Sequence, residues 1–228
     1  MFSTDEFGGF TERVIPLAHI TTQVEGDPDQ GLLGEKGGQG FPTLAFLDAA
    51  GRLLAKPRGR SVEAFAATLD EDVPAFLAME EAAESGDAEA KQAYFLKQIE
   101  LGHIEDFAAA YKQLDALELD DAVAKKKRDE LAGWEFNLAS SNWRSGNTAE
   151  AATRLQAMVD GDRIPGGRNL LNFWYVYSQV AVESEDAKKL EAAIEALEEV
   201  GGRRTARLID QLKEELAKLK EELAKLKG

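Results

Sequence analysis

The chain has no cysteine, two histidines and three methionines. Without a thiolate there is neither a nucleophile nor a mixed disulfide, so the residues present cannot run a dithiol–disulfide cycle. The absence of cysteine leaves the redox compartment open. His19 and His103 are too few for a histidine-rich zinc site. Neither H-E-x-x-H nor G-x-S-x-G occurs. The glycines from Gly31 to Gly40 lack the Gly-Lys-Ser/Thr ending of a phosphate loop. No run approaches the roughly 18 apolar residues of a membrane span, and no signal-peptide pattern follows Met1. Basic residues are also short, 27 Lys and Arg against 42 Asp and Glu, for a formal charge of −15. Nucleic-acid binders need Lys/Arg stripes, so that class is excluded. An acidic surface favours solubility, or attraction to a basic partner.

What is present is an ordinary soluble composition, 44% hydrophobic and 30% charged over 228 residues, enough for one or two domains with real cores. Carboxylates are abundant, but no spacing pairs two of them in a recognisable pocket. Runs such as Asp70-Glu71-Asp72 read as solvated faces.

The most informative stretch is Gly37 to Lys56, GGQGFPTLAFLDAAGRLLAK. A glycine-loosened loop enters Phe41-Pro42-Thr43, and the apolar run Leu44 to Leu47 follows. Asp48-Ala49-Ala50-Gly51 supplies turn chemistry, and Leu53-Leu54-Ala55 begins a second run. Two apolar runs around such a turn predict an antiparallel hairpin, with Pro42 at the first position of the first strand. Upstream, Phe2 to Phe10 reads as a helix end and Val14 to Val24 as a strand with β-branched residues. Gly26 to Asp29 reads as a loop and Leu32 to Lys36 as a short helix. Downstream, Ser61 is an N-cap for a helix over Val62 to Leu69, with Glu63 in its first turn.

An aromatic-Pro-Thr before a hydrophobic strand, then an Asp-x-x-Gly turn, a second strand and a helix, resembles the C-terminal half of a thioredoxin fold. The resemblance covers roughly residues 1–70. It implies a cis bond before Pro42 and a loop, Gly40-Phe41-Pro42-Thr43, whose backbone pairs with an extended client segment. It also implies a central strand and a Cys-x-x-Cys helix start, neither of which this sequence contains. No redox activity is therefore expected of the chain. With that strand missing, the expectation is a rearranged sheet or edges that pair with a second copy.

From Asp70 the pattern turns helical, with Pro74 placing a boundary near residues 70–74. Helices are expected over Val73 to Glu84, from Asp87 to Leu101, and after Gly102 with Phe107, Ala110, Tyr111, Leu114 and Leu117 on one face. A longer one, about Asp121 to Arg144, is expected to bury Leu131, Trp134 and Leu138. Asn147 and Glu150 form a capping-box pair ahead of Ala151, Leu155, Met158 and Val159. After a loop from Gly161 to Gly167, Leu170, Trp174, Tyr177 and Ala181 line another helix. A turn over Ser184 to Asp186 leads to Leu190, Ile194 and Leu197. Trp134, Trp143, Phe173, Trp174 and Tyr175 read as core packing.

These helices carry a weak internal repeat. Gly102-x4-Phe107-x3-Tyr111-x2-Leu114 aligns with Gly146-x4-Ala151-x3-Leu155-x2-Met158, and a third copy starts at Glu185. The arrangement is similar to tetratricopeptide repeats. The spacings of 44 and 39 residues exceed the roughly 34 of that family. Such arrays bind proteins or peptides on a concave face. The tail then repeats KEELAKL at Lys213–Leu219 and Lys220–Leu226. Its a/d seam runs through Ile209, Leu212, Leu216, Leu219, Leu223 and Leu226. So clean a repeat resembles a designed helix.

The expected fold class is therefore α+β: an incomplete thioredoxin-like αβ unit over 1–72, then an all-α helical-hairpin array over 73–204, then a heptad helix over 205–228. The candidate peptide-binding residues are Gly40, Phe41, Pro42 and Thr43. No catalytic, cofactor-binding or metal-ligating residue stands out, and no cofactor is implied. The expected function is binding of a protein or peptide partner, with a homodimer through open sheet edges or the C-terminal helix as a further arrangement. Two alternatives stand beside it. One is a fragment of a thioredoxin-type disulfide oxidoreductase whose Cys-x-x-Cys lies upstream of Met1; the other is an engineered scaffold.

Overall fold

The computed structural model describes residues 2–19, 32–38, 40–202 and 205–227. The protein is mostly helical with one small antiparallel sheet, an α+β chain in the coarse sense expected. It divides into two compact units, Met1–Ala110 and Tyr111–Gly228.

In the first unit, α1 (Asp5–Thr11) and α2 (Leu32–Glu35) precede β1 (Phe46–Leu47) and β2 (Leu53–Ala55). The strands pair antiparallel with Phe46 opposite Ala55 and Leu47 opposite Leu53. The turn between them is held by one side chain. Asp48 Oδ1 accepts from the N–H groups of Ala50 (2.9 Å) and Arg52 (2.8 Å), while Gly51 takes the left-handed φ of +78° that the turn requires. The Phe41–Pro42 bond is cis, the isomer the resemblance implies.

Three expectations need correction here. Val14 to Val24 is not a strand in its described part: residues 14–19 have no strand conformation, and Ile15 and Leu17 are 95% and 76% exposed. Residues 20–31, including the Gly26–Asp29 loop, lie outside the described residues. β-branched content alone does not make a strand where no partner strand covers it. The first hairpin strand starts at Phe46, so Pro42 lies ahead of it. Finally, Pro74 does not separate helices. α3 (Val62–Ala67), capped as expected by Ser61, runs through a π-helical turn at Thr68–Asp72 into α4 (Val73–Glu84). Pro74 directly follows that turn, in the first turn of α4. The turn is fixed from inside by the fully buried Thr68, whose hydroxyl donates to the Ala64 carbonyl at 2.8 Å.

α4 and α5 (Ala88–Leu101) pack against the hairpin, and Leu53, Leu54, Ala55, Val73, Phe76 and Leu101 form one buried cluster. Phe10 of α1 meets Phe46 and Phe65 at ring-centre distances of 6.4 and 5.9 Å, so α1 docks on α3 through aromatic contacts. α6 (Phe107–Asp115) spans the division between the units.

The second unit contains α7 (Asp121–Arg144), α8 (Thr148–Asp160), α9 (Arg168–Glu183), α10 (Ala187–Gly201) and α11 (Ala206–Lys227). Each packs on the next, and α7 and α11 also touch α9. Ala151, Leu155, Met158, Phe173, Ala181, Leu190 and Leu197 are completely buried between them. The α7–α8 and α9–α10 turns use one device. Ser145-Gly146-Asn147 and Ser184-Glu185-Asp186 each place a left-handed residue, φ +85° and +53°, between a serine and an Asx residue. In each, the Asx N–H returns to a carbonyl five residues back, Asn142 at 2.8 Å and Ala181 at 2.9 Å. Ser85-Gly86-Asp87 repeats the sequence pattern in the α4–α5 turn, with Gly86 at φ +101°.

Asn147 and Glu150 do not form the expected capping box. Asn147 makes no side-chain cap bond, because that residue is taken up by the turn. On α7 the packed face also differs from the expected one. Leu131 and Phe136 are buried, Trp134 is half-buried and Leu138 is 36% exposed. The face chosen carries Ala132, Ala139 and Ser140, small residues that admit a neighbouring helix closely. Among the described residues no helix is long and apolar enough to cross a membrane.

The heptad seam of α11 packs on this unit as far as it reaches. Ile209 and Leu212 join the core, Leu216 and Leu219 lie against it, and Leu223 is 40% exposed. Lys213 and Lys220 pair with Glu198 and Glu191 of α10. The tail therefore works as a capping helix over Ile209–Leu219. Leu212→Ala should cost about 2–5 kcal/mol, the usual range for a buried leucine, whereas Leu223→Ala should stay within about 0.5 kcal/mol of the parent. Urea unfolding of the two variants checks this; equal losses would contradict the packing.

Candidate functional site

The four residues singled out for peptide binding are contiguous on the loop ahead of β1. Gly40, Phe41 and Pro42 are exposed, Phe41 at 70%, and Thr43 is half-buried. The loop is tied across its base by the Thr43 hydroxyl, which donates to the Gly40 carbonyl at 2.6 Å. A local side-chain-to-backbone bond of this kind holds a turn without a sheet partner. Phe41 is left pointing its ring surface at solvent, which is unusual for so large an apolar side chain.

Behind the hairpin lies a polar hub that sequence reasoning missed. Arg52, the first residue after the turn, donates from Nε to Asp48 Oδ2 at 3.0 Å, and its two terminal nitrogens grip both carboxylate oxygens of Glu80 on α4. The Tyr94 hydroxyl of α5 donates to the same Glu80 carboxylate. The Arg52 guanidinium stands 5.6 Å from the centre of the Phe76 ring, and the His103 ring meets Phe76 edge-on at 5.5 Å. One arginine thus binds the hairpin turn to two helices. The bidentate grip of Arg52, followed by the Tyr94 hydrogen bond, holds the Glu80 carboxyl below the usual range. Only the spacing of Arg52 after the Asp48 turn hinted at this. Glu80 and Tyr94 are brought to it by the fold.

His103 is half-buried, and its desolvation pushes the imidazole below its ordinary value, with the Arg52 charge acting the same way. It is a neutral core residue at neutral pH. His19, the other histidine, lies far from this hub in sequence, outside any helix or strand. Among the described residues no group of three or more His, Asp or Glu is placed to hold a metal ion.

On the second unit the candidate surface is the side of α7 and α9 turned away from α8 and α10. On α7, Trp134, Asn137, Leu138 and Ser141 fall on one face by helical spacing; on α9, Asn172, Tyr175 and Gln179 do so. Leu138 and Tyr175 are 36% and 40% exposed. Phe173 and Trp174 are core as expected, while Tyr175 is not, since it sits on the free side of α9. At the end of this face the Trp143 indole N–H and the Thr148 hydroxyl each donate to Glu183, both at 2.9 Å. These bonds lock α9 to the α7–α8 hairpin. The surface carries aromatic, apolar and amide side chains, with the Glu183 carboxylate at its end.

Compared with known proteins, the chain matches no family model, no curated protein and no solved structure.

The sign of the His103 effect is fixed by its surroundings. The folded chain takes up its proton less readily than the unfolded chain, so stability present above about pH 6.5 is lost as pH falls through the folded value. The melting temperature should therefore drop between pH 7 and pH 5. Part of that drop should vanish in His103→Gln. A variant whose pH profile parallels the parent would contradict it.

Proposed function

We propose that this protein is a binding module for extended polypeptide segments, built from an incomplete thioredoxin-like αβ unit and a tetratricopeptide-like helical array. The observation that carries the reading is the exposure of large apolar side chains on two well-anchored platforms. Phe41 stands out from the tied loop before β1, and Tyr175 and Leu138 stand out from the α7–α9 layer. Single exposed apolar residues are common on protein surfaces, but aromatic side chains held by rigid elements are what peptide recognition uses. Amide side chains beside Tyr175, those of Asn172 and Gln179, are suited to hydrogen-bond a peptide backbone. The formal charge of −15 favours segments whose apolar residues are flanked by lysine or arginine. No step of covalent chemistry belongs to this reading.

The test is fluorescence anisotropy with labelled extended peptides, apolar at the centre, carrying either basic or acidic flanks. The basic series should bind more tightly than the acidic one. Phe41→Ala and Tyr175→Ala should each weaken binding about tenfold, roughly 1.4 kcal/mol. Binding that is absent for both series, or unchanged in both variants, would refute the reading.

A further inference from the structure

The free side of α9 ends on a carboxylate. Asn172, Tyr175, Gln179 and Glu183 follow at i, i+3, i+7 and i+11, so helical period places them in one stripe. Asn172, Tyr175 and Glu183 are exposed and Gln179 is half-buried. Two neutral donors from the α7–α8 hairpin hold Glu183. The Trp143 indole N–H reaches its Oε1 and the Thr148 hydroxyl its Oε2, both at 2.9 Å. The carboxylate is thereby fixed in place, and each oxygen keeps a lone pair for a further donor.

The helix lock does not need the charge. A glutamine amide would accept from the indole with its oxygen and donate to the threonine oxygen with its nitrogen. Carboxylates elsewhere in this unit are matched by cations of the chain itself. Glu150 pairs with Arg154, Asp186 with Lys189, Glu191 with Lys220 and Glu198 with Lys213. Among the described residues no lysine or arginine pairs with Glu183, whose partners are the two neutral donors. A full negative charge is thus immobilised at the end of an exposed aromatic and amide stripe, with its cation left to come from outside.

We propose that Glu183 is the specificity-determining residue of the α7–α9 face. It receives the ammonium or guanidinium of a lysine or arginine carried by the extended segment that packs on Tyr175. The inference rests on the peptide-binding reading and gives it a register. Eight helical residues separate Tyr175 from Glu183, a rise of about 12 Å. Four residues of extended chain span about 13 Å and bring the side chain back to the same face. The basic residue therefore stands four positions from the apolar residue seated on Tyr175. Because Trp143 and Thr148 already hold the carboxylate, little of its freedom is lost when the cation arrives. The formal charge of −15 draws in any basic segment, whereas Glu183 discriminates where in the segment the charge lies.

The test is fluorescence anisotropy on the full chain with two labelled peptides of one composition. Each has a central phenylalanine, with lysines four residues to either side in one and eight residues to either side in the other. Their charge is equal, so long-range attraction is the same for both. The four-residue peptide should bind about fivefold tighter, the upper range for an exposed ion pair. Acetylating the lysines of both peptides should erase the difference. Glu183→Gln keeps both hydrogen bonds of the lock, so its unfolding midpoint should match the parent's while the two peptides bind it equally. Glu199→Gln, at an exposed position of α10, removes the same charge elsewhere and should retain the preference. Equal binding in the parent overturns the proposal, as does a preference that survives acetylation or Glu183→Gln, or one that Glu199→Gln also abolishes. Equal binding that Tyr175→Ala still weakens leaves the peptide-binding reading standing without this residue. If neither peptide binds, both readings fall.

Discussion

The helical unit depends on one apolar layer. Leu155 and Met158 from α8, Phe173 from α9, and Leu190 and Leu197 from α10 are completely removed from water. Each such burial is worth about 1.5–3 kcal/mol against the exposed chain, and little else in the unit acts on that scale. The surface ion pairs along α7 and α11 contribute a few tenths of a kcal/mol each at most. The layer also decides what remains outside. Once the packed faces are committed, Tyr175, Leu138 and the amides beside them can only face away, so the candidate surface is a by-product of the core. In the first unit the equivalent constraint is smaller: six buried residues beneath a two-stranded hairpin, reinforced by the Arg52 hub.

Helix ends and apolar faces were legible in the sequence wherever local chemistry determines them. Asp87, Ser61 and Gly102 act as caps because their side chains or backbone freedom satisfy the helix termini on the spot. Leu190, Ile194 and Leu197 line up because helical period alone places them. The hairpin was readable for the same reason, since the Asp48–Gly51 turn is a local structure. What was not legible depended on partners far along the chain. Val14–His19 has the residues of a strand, but it does not take up strand structure. Leu138 lost its place in the core to smaller residues, because helix–helix approach rewards fit as much as hydrophobicity. The Ser-x-Asx turns, which recur at Ser85, Ser145 and Ser184, were a better marker of the hairpins than the glycine spacing.

Neither polar centre could be found by motif. The Arg52 hub and the Arg163–Glu135 pair each join residues from several elements, and each uses one arginine as a multidentate donor. They differ in how well the carboxylate is served. Glu80 receives both arginine nitrogens and a tyrosine hydroxyl and is held below its usual range. Glu135 is pushed above it by burial, against the pull of Arg163 and Arg154. The two pairs thus differ in depth: hydrogen bonds dominate at the shallower Glu80, and lost hydration dominates at Glu135.

The most direct test of this architecture is amide hydrogen exchange on the intact chain, read residue by residue. The slowest amides should lie in α8, α9 and α10, around Leu155, Phe173, Val180 and Leu190. The β1–β2 pair, only two and three residues long, should be weakly protected. Protection of the β1–β2 amides equal to or above that of α8, α9 and α10 would contradict the account.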